Sequence, residues 1–91
     1  MLILAIETSC DETACAVLHI TGKQHPRFEV LSSVISSQVK VHKPYGGVVP
    51  TLAAREHVKN LPFVFKKVLK EARIKLEKLD YIAVTQGPGL V

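Results

Sequence analysis

The chain has 91 residues, enough for one small domain or for part of a larger one. Hydrophobic residues make up 47% and charged residues 22%, which excludes a disordered or low-complexity chain. Lys and Arg number 12 against 8 Asp and Glu, and the formal charge of +4 is compatible with an RNA or nucleotide partner without requiring one.

Residues 2–6, Leu2-Ile3-Leu4-Ala5-Ile6, form a short continuous apolar run, the pattern of a strand buried on both faces. No basic segment precedes the run and Glu7 stops it, so it is too short for a secretion signal or a membrane span. A cytoplasmic location and no membrane partner are expected. Small and acidic residues at 7–13 read as a turn, and the apolar run 14–20 returns as a second strand. Gly22 and Pro26 mark the next turn. Residues 28–36 alternate in part and read as a third strand, which completes an antiparallel meander.

Residues 36–50 look irregular, because Pro44 lacks a donor and Gly46-Gly47 is conformationally loose. A helix is expected to start at Pro50 or Thr51. Pro62 is expected to interrupt it, with Asn60 capping a second helix that carries Pro62 in its first turn. From there Leu61, Val64, Phe65, Val68, Leu69 and Ala72 form a stripe at helical spacing that reads as core. Lys66, Lys67, Lys70, Arg73 and Lys75 sit mostly off the stripe and read as a solvated face, with an RNA-facing or subunit-facing surface as the alternative. Residues 80–85 read as a fourth strand, running into Gly87-Pro88-Gly89. The order is β-β-β-α-β in an α/β fold, with the fourth strand expected to pair parallel to the first across the helical crossover. A chain ending just after a strand and a turn is expected to be truncated before the next helix.

The first turn carries the most chemistry. A tight turn between two buried strands points backbone N–H groups into one space, and Thr8, Ser9 and Thr13 add hydroxyls. Asp11 and Glu12 would be repelled by phosphate unless a divalent cation lay between, so the turn reads either as a site for a cation-bridged nucleotide or as a polar hairpin satisfying its own backbone. Thr8, Ser9, Asp11 and Glu12 are the phosphate-loop candidates. His19, His25, His42 and His57 include no pair at i and i+4 and match no metal signature, so no metal ligand is assigned. Cys10 and Cys15 have neither redox nor zinc spacing and read as reduced thiols. No catalytic residue is assigned.

Three blocks in order resemble the TsaD family of tRNA adenosine threonylcarbamoyltransferases, once described as O-sialoglycoprotein endopeptidases. The first runs from Ile3 to Thr13. The second comprises Ser36-Ser37-Gln38, His42, Tyr45-Gly46-Gly47-Val48-Val49-Pro50, Leu52-Ala53 and Arg55-Glu56-His57. The third is Ile82-Ala83-Val84 with Gly87-Pro88-Gly89-Leu90-Val91. Thr51 stands where that family usually has Glu, and Ala54 where it usually has Ser. The resemblance implies an actin-like ATPase fold of the ribonuclease H type, with residues 1–91 as the N-terminal part of its first lobe and a mixed sheet. It places Thr8, Ser9, Asp11 and Glu12 on the hairpin loop that meets nucleotide phosphate.

For the parent protein the resemblance implies transfer of a threonylcarbamoyl group from threonylcarbamoyl-adenylate to N6 of the adenosine 3′ of the tRNA anticodon. It also implies partner subunits, an adenylate or ATP ligand, and a divalent metal (iron or zinc) whose ligands lie outside this chain. The fragment alone is expected to be inactive and able to self-associate. A non-catalytic paralogue of the same fold and an isolated partner-binding or dimerisation module are the alternatives. A kinase-like member of the superfamily would instead carry a Gly-rich phosphate loop.

Overall fold

The computed structural model describes residues 1–9 and 11–86, so Cys10 and the turn Gly87-Pro88-Gly89 with Leu90 and Val91 lie outside the described residues. Four strands make one mixed sheet in the order β3-β2-β1-β4. β1 (Leu2–Glu7) is flanked by β2 (Glu12–Thr21), antiparallel in register Leu4↔Val17, and by β4 (Tyr81–Val84), parallel in register Leu4↔Ile82. β3 (Arg27–Ser37) pairs antiparallel with the outer side of β2, with an irregularity between Val17 and Leu18. The meander and the parallel return of the fourth strand follow the sequence expectation. The hairpin between β2 and β3 needs Gly22, whose φ of 88° is left-handed and where a Cβ would lie 2.5 Å from the His25 carbonyl oxygen.

Between β3 and the crossover helix the chain is more regular than its Pro and Gly content implied. A single turn, α1 (Val39–His42), runs into a 3-10 turn at Lys43–Tyr45, with Pro44 near the start where its missing N–H costs little. Gly46, at φ 74°, ends it by donating its N–H to the Lys43 carbonyl at 3.1 Å. A second 3-10 turn, Leu76–Lys78, precedes β4.

The crossover is one 23-residue helix, α2 (Pro50–Ala72), and not two. Pro50 occupies its first turn as expected, but Asn60 caps nothing and Pro62 lies in the interior. An interior proline removes one ladder bond, here the one to the Val58 carbonyl, and crowds that carbonyl. Val58 is 77% exposed and Pro62 is exposed, so water can take the orphan oxygen. Buried positions continue on both sides of the proline, with Ala53 before it and Val64 and Val68 after it, and their shared burial holds the helix together across the break. Pro62→Ala is therefore expected to stabilise the fold by about 2 kcal/mol: roughly 3 from restored helix propensity, less up to about 1 for the freer unfolded chain. The check is a rise in the urea midpoint with an unchanged slope.

α2 packs across β2 and β3. Leu4, Cys15, Val17, Val34, Val64 and Val68 form the buried core, with Leu61, Phe65, Leu69 and Ala72 of the helical stripe packed against it. The Ser32 hydroxyl donates to the Val68 carbonyl at 2.7 Å, which anchors β3 to the helix. Lys66, Lys67, Lys70, Arg73 and Lys75 are exposed, as the solvated-face reading expects. Leaving the helix, Arg73 adopts φ 56°, and the N–H groups of Arg73 and Ile74 close the end by donating to the Lys70 and Leu69 carbonyls at 3.1 Å each.

Cys15 is a free thiol in this core, and burial pushes its pKa up. The folded chain thus keeps the proton at a pH where an unfolded cysteine, titrating at about 8.5, has lost it. Stability from this group is full below that unfolded value and is lost as pH rises from there toward the folded one. Between about pH 8 and 10 the wild-type chain is expected to lose more stability than Cys15→Ala, measured by urea midpoints at each pH.

Candidate functional site

The turn between β1 and β2 sits at the end of the sheet where β3 also ends. It is closed by the Glu12 N–H donating to the Ser9 carbonyl at 3.2 Å, while the Ser9 hydroxyl donates to the Glu7 carboxylate. Thr8 and Asp11 are half-buried, and Ser9 and Glu12 are exposed. Glu12 is already the first residue of β2 and pairs with Ser37. Strand alternation then sends its side chain to the opposite face from Thr13, which is fully buried beneath α2. The four candidates therefore do not share one surface.

Asp11 is the candidate that meets another sequence block. It lines a depression of about 310 Å³ together with Val39, His42, Lys43, Gly46, Gly47 and Val48. A carboxylate, an ammonium and a pair of glycines thus surround one small space. A Cβ built at Gly46 or Gly47 meets nothing within 4 Å, so the glycines leave the space open.

Behind this depression lies a polar network that the sequence reading did not foresee. The Val49 N–H donates to His42 Nδ1 at 3.1 Å, so Nδ1 carries no proton and Nε2 must carry it. His42 Nε2 then donates to Gln38 Oε1 at 2.7 Å. The Gln38 amide nitrogen donates to the Ala53 carbonyl and toward His57 Nδ1, at 3.3 Å each. An amide nitrogen can only donate, so His57 Nδ1 is the acceptor there, and the Thr13 hydroxyl at 2.8 Å donates to the same lone pair. A backbone donor at one end and a backbone acceptor at the other fix every role between them. The Gln38 backbone N–H also donates to the Asp11 carbonyl at 2.6 Å. His42 and Gln38 were legible as neighbours only through their i, i+4 spacing, which has meaning once residues 39–42 are helical.

On the outer side of α2, Phe63 is 79% exposed and stands among Lys66, Lys67, Lys70 and Arg73. Among the described residues no three His, Cys, Asp or Glu side chains gather as a metal would need, and the two network histidines spend their Nδ1 atoms on hydrogen bonds. These residues do not fit an iron or zinc centre. No helix among them is long and apolar enough to cross a membrane.

A family model described as TsaD, tRNA N6-adenosine threonylcarbamoyltransferase, matches residues 29–91. The chain belongs to the TsaD family. Its relatives include the tRNA N6-adenosine threonylcarbamoyltransferases of Thermosipho melanesiensis, 56% identical over 91 residues, and Fusobacterium nucleatum, 54% identical over the same length. That of Thermosipho africanus is 52% identical. Each match covers all of this chain, which spans about a quarter of the relatives' length, 25–26%. The mixed α/β sheet agrees with the half-lobe expected of a TsaD protein. Gln38, His42, Gly46, Gly47 and His57 fall inside the segment matched to the TsaD model, while Asp11 and Thr13 fall in the wider alignment with the relatives.

Proposed function

We propose that residues 1–91 are the N-terminal part of the first actin-like lobe of a parent protein that transfers a threonylcarbamoyl group to tRNA. The observation that carries this reading is the end-to-end match, at up to 56% identity, to proteins named for that reaction. In the proposed step, N6 of the adenosine 3′ of the anticodon attacks the carbamoyl carbonyl of threonylcarbamoyl-adenylate. The new N–C bond forms, the bond to the AMP phosphate oxygen breaks, and N6 gives up one proton. N6 is a weak nucleophile, so positioning and electrostatic help supply most of the acceleration.

This chain's share is the Asp11 loop and the glycine pair facing it, which meet phosphate oxygens or their counter-cation. Thr8 and Ser9 lie on the same loop, while Glu12 begins β2 and turns away from that site. A divalent metal, iron or zinc, would polarise the reacting groups when bound, held by residues outside this chain. Partner subunits and a cytoplasmic setting belong to the same reading. The chain alone holds too little of the site to catalyse transfer.

The test uses the intact parent with its partner subunits, tRNA and the adenylate donor, beside the parent carrying Asp11→Ala and beside the 91-residue chain. Transfer is expected from the intact parent alone. Transfer by the short chain would overturn its proposed inactivity. A parent that assembles with its partners yet transfers nothing would overturn the enzyme reading in favour of a non-catalytic paralogue.

A partner-binding or dimerisation role for the isolated chain is favoured by one observation. Ile82 and Val84 on β4 and Phe28, Val30 and Ile35 on β3 are all exposed, so both margins of the sheet carry apolar side chains in solvent. Self-association of the chain on its own is expected on that ground.

A further inference from the structure

We infer that Gln38, with Thr13, His42 and His57, is a positioning device for Asp11. The inference rests on the transferase reading of the parent. Gln38 is 1% exposed and touches nothing in solvent, so it cannot itself meet a substrate. Its bonds nevertheless reach each segment that borders the depression at Asp11. Its backbone N–H holds the Asp11 carbonyl at 2.6 Å. Through His42 it holds the Val49 N–H, and so fixes the chain just after Gly46, Gly47 and Val48. Its amide nitrogen grips the Ala53 carbonyl in the first turn of α2. Thr13, two residues after Asp11, is tied to the same helix through His57.

An apolar side chain at position 38 would leave the buried His42 Nε2–H without an acceptor, so the network contributes to stability as well. What the amide adds is direction. Its oxygen and nitrogen face opposite partners, and swapping them would set a nitrogen against the His42 donor and an oxygen against the Ala53 carbonyl. The arrangement therefore fixes one relative placement of the Asp11 loop and the glycine loop, and the side chain most affected by a loss of register is the Asp11 carboxylate across the depression. Gln38 acts on the reaction through Asp11.

The experiment is a double-mutant cycle in the intact parent with its partner subunits. Transfer kinetics are measured for wild type, Gln38→Met, Asp11→Ala and the double variant. Gln38→Met is expected to lower kcat tenfold or more with little change in KM for tRNA. In the Asp11→Ala background it should lower kcat by less than twofold, because the group being positioned is gone. An equal factor in both backgrounds overturns the inference. Should Gln38→Met not fold, Thr13→Val removes only the hydroxyl that ties β2 to His57. Its kcat should fall and recover in Thr13→Ser, and a wild-type kcat for Thr13→Val overturns the inference. Hydrogen exchange at the Val49 amide separates this inference from the transferase reading. If the wild-type parent transfers nothing, that reading fails, and exchange at Val49 that is no faster in Gln38→Met removes the positioning device as well.

Discussion

Asp11→Ala in the intact parent is expected to lower kcat for threonylcarbamoyl transfer about a hundred- to a thousandfold, the scale seen when one preorganised electrostatic contact is deleted from a site. The fold should survive. What Asp11 gives the scaffold is its carbonyl, held by the Gln38 N–H, and alanine keeps that bond. The side chain is half-buried and borders an open depression, so truncation leaves no sealed cavity. Asp11→Asn sharpens the reading, because it keeps the size and one acceptor oxygen while removing the charge. Loss of activity in both variants assigns the role to the negative charge. Activity retained in Asp11→Asn assigns it to hydrogen bonding. Activity retained in Asp11→Ala returns the residue to a turn-forming role. The readout is single-turnover transfer with saturating donor, beside a thermal melt of each variant.

Leu4→Ala carries the largest expected effect on stability, about 2–5 kcal/mol. Leu4 is fully buried, on the strand that lies between β2 and β4, and belongs to the same cluster as Val64 and Val68. The strands on either side hold its backbone in register with Val17 and Ile82, so the sheet cannot collapse into the space left by the isobutyl group. A domain of this size has only about 5–15 kcal/mol in hand, so the loss is a large fraction of the total. The expected sign is a fall of roughly 1–3 M in the urea midpoint of the 91-residue chain at constant slope. Leu4→Met, close in volume, should cost less than about 1.5 kcal/mol. A similar cost for both variants would show that the site is loosely packed.

Much of the fold could be read from residues 2–6, 14–20 and 28–36, because each apolar run is bounded by residues with a specific reason to turn. Pairing of β4 with β1 followed from the crossover. Pro62 misled because local propensity marks a break, while the burial of Ala53, Val64 and Val68 on one face acts over the whole helix and outweighs it. Residues 39–45 were read as irregular from Pro44 and the glycines, although Pro44 near the start and Gly46 at the end of a short turn are both favourable. The loop carrying Thr8, Ser9, Asp11 and Glu12 was visible as a polar break between strands. The split that sends Glu12 away from the depression was not, since it depends on where β2 begins. The network through Gln38 was beyond reach of spacing, because its members come from β2, the residue that follows β3, α1 and α2 and meet only after those have packed.

The parallel pairing of β1 with β4 has a bearing on biosynthesis. Residues 2–7 are synthesised before β2, and once Thr21 has followed they can pair with it on one side. Their other side waits for residues 81–84, some 60 residues later. At about 5–20 residues per second, a nascent chain shows an unpaired edge on β1 for roughly 3–12 seconds. That edge carries Leu2, Ile3, Leu4 and Ile6, and it belongs to one of the two strands that are flanked on both sides in the finished sheet. A chaperone that shields apolar nascent segments would find a target on β1 during that interval, and a slow codon between residues 21 and 81 would prolong the exposure.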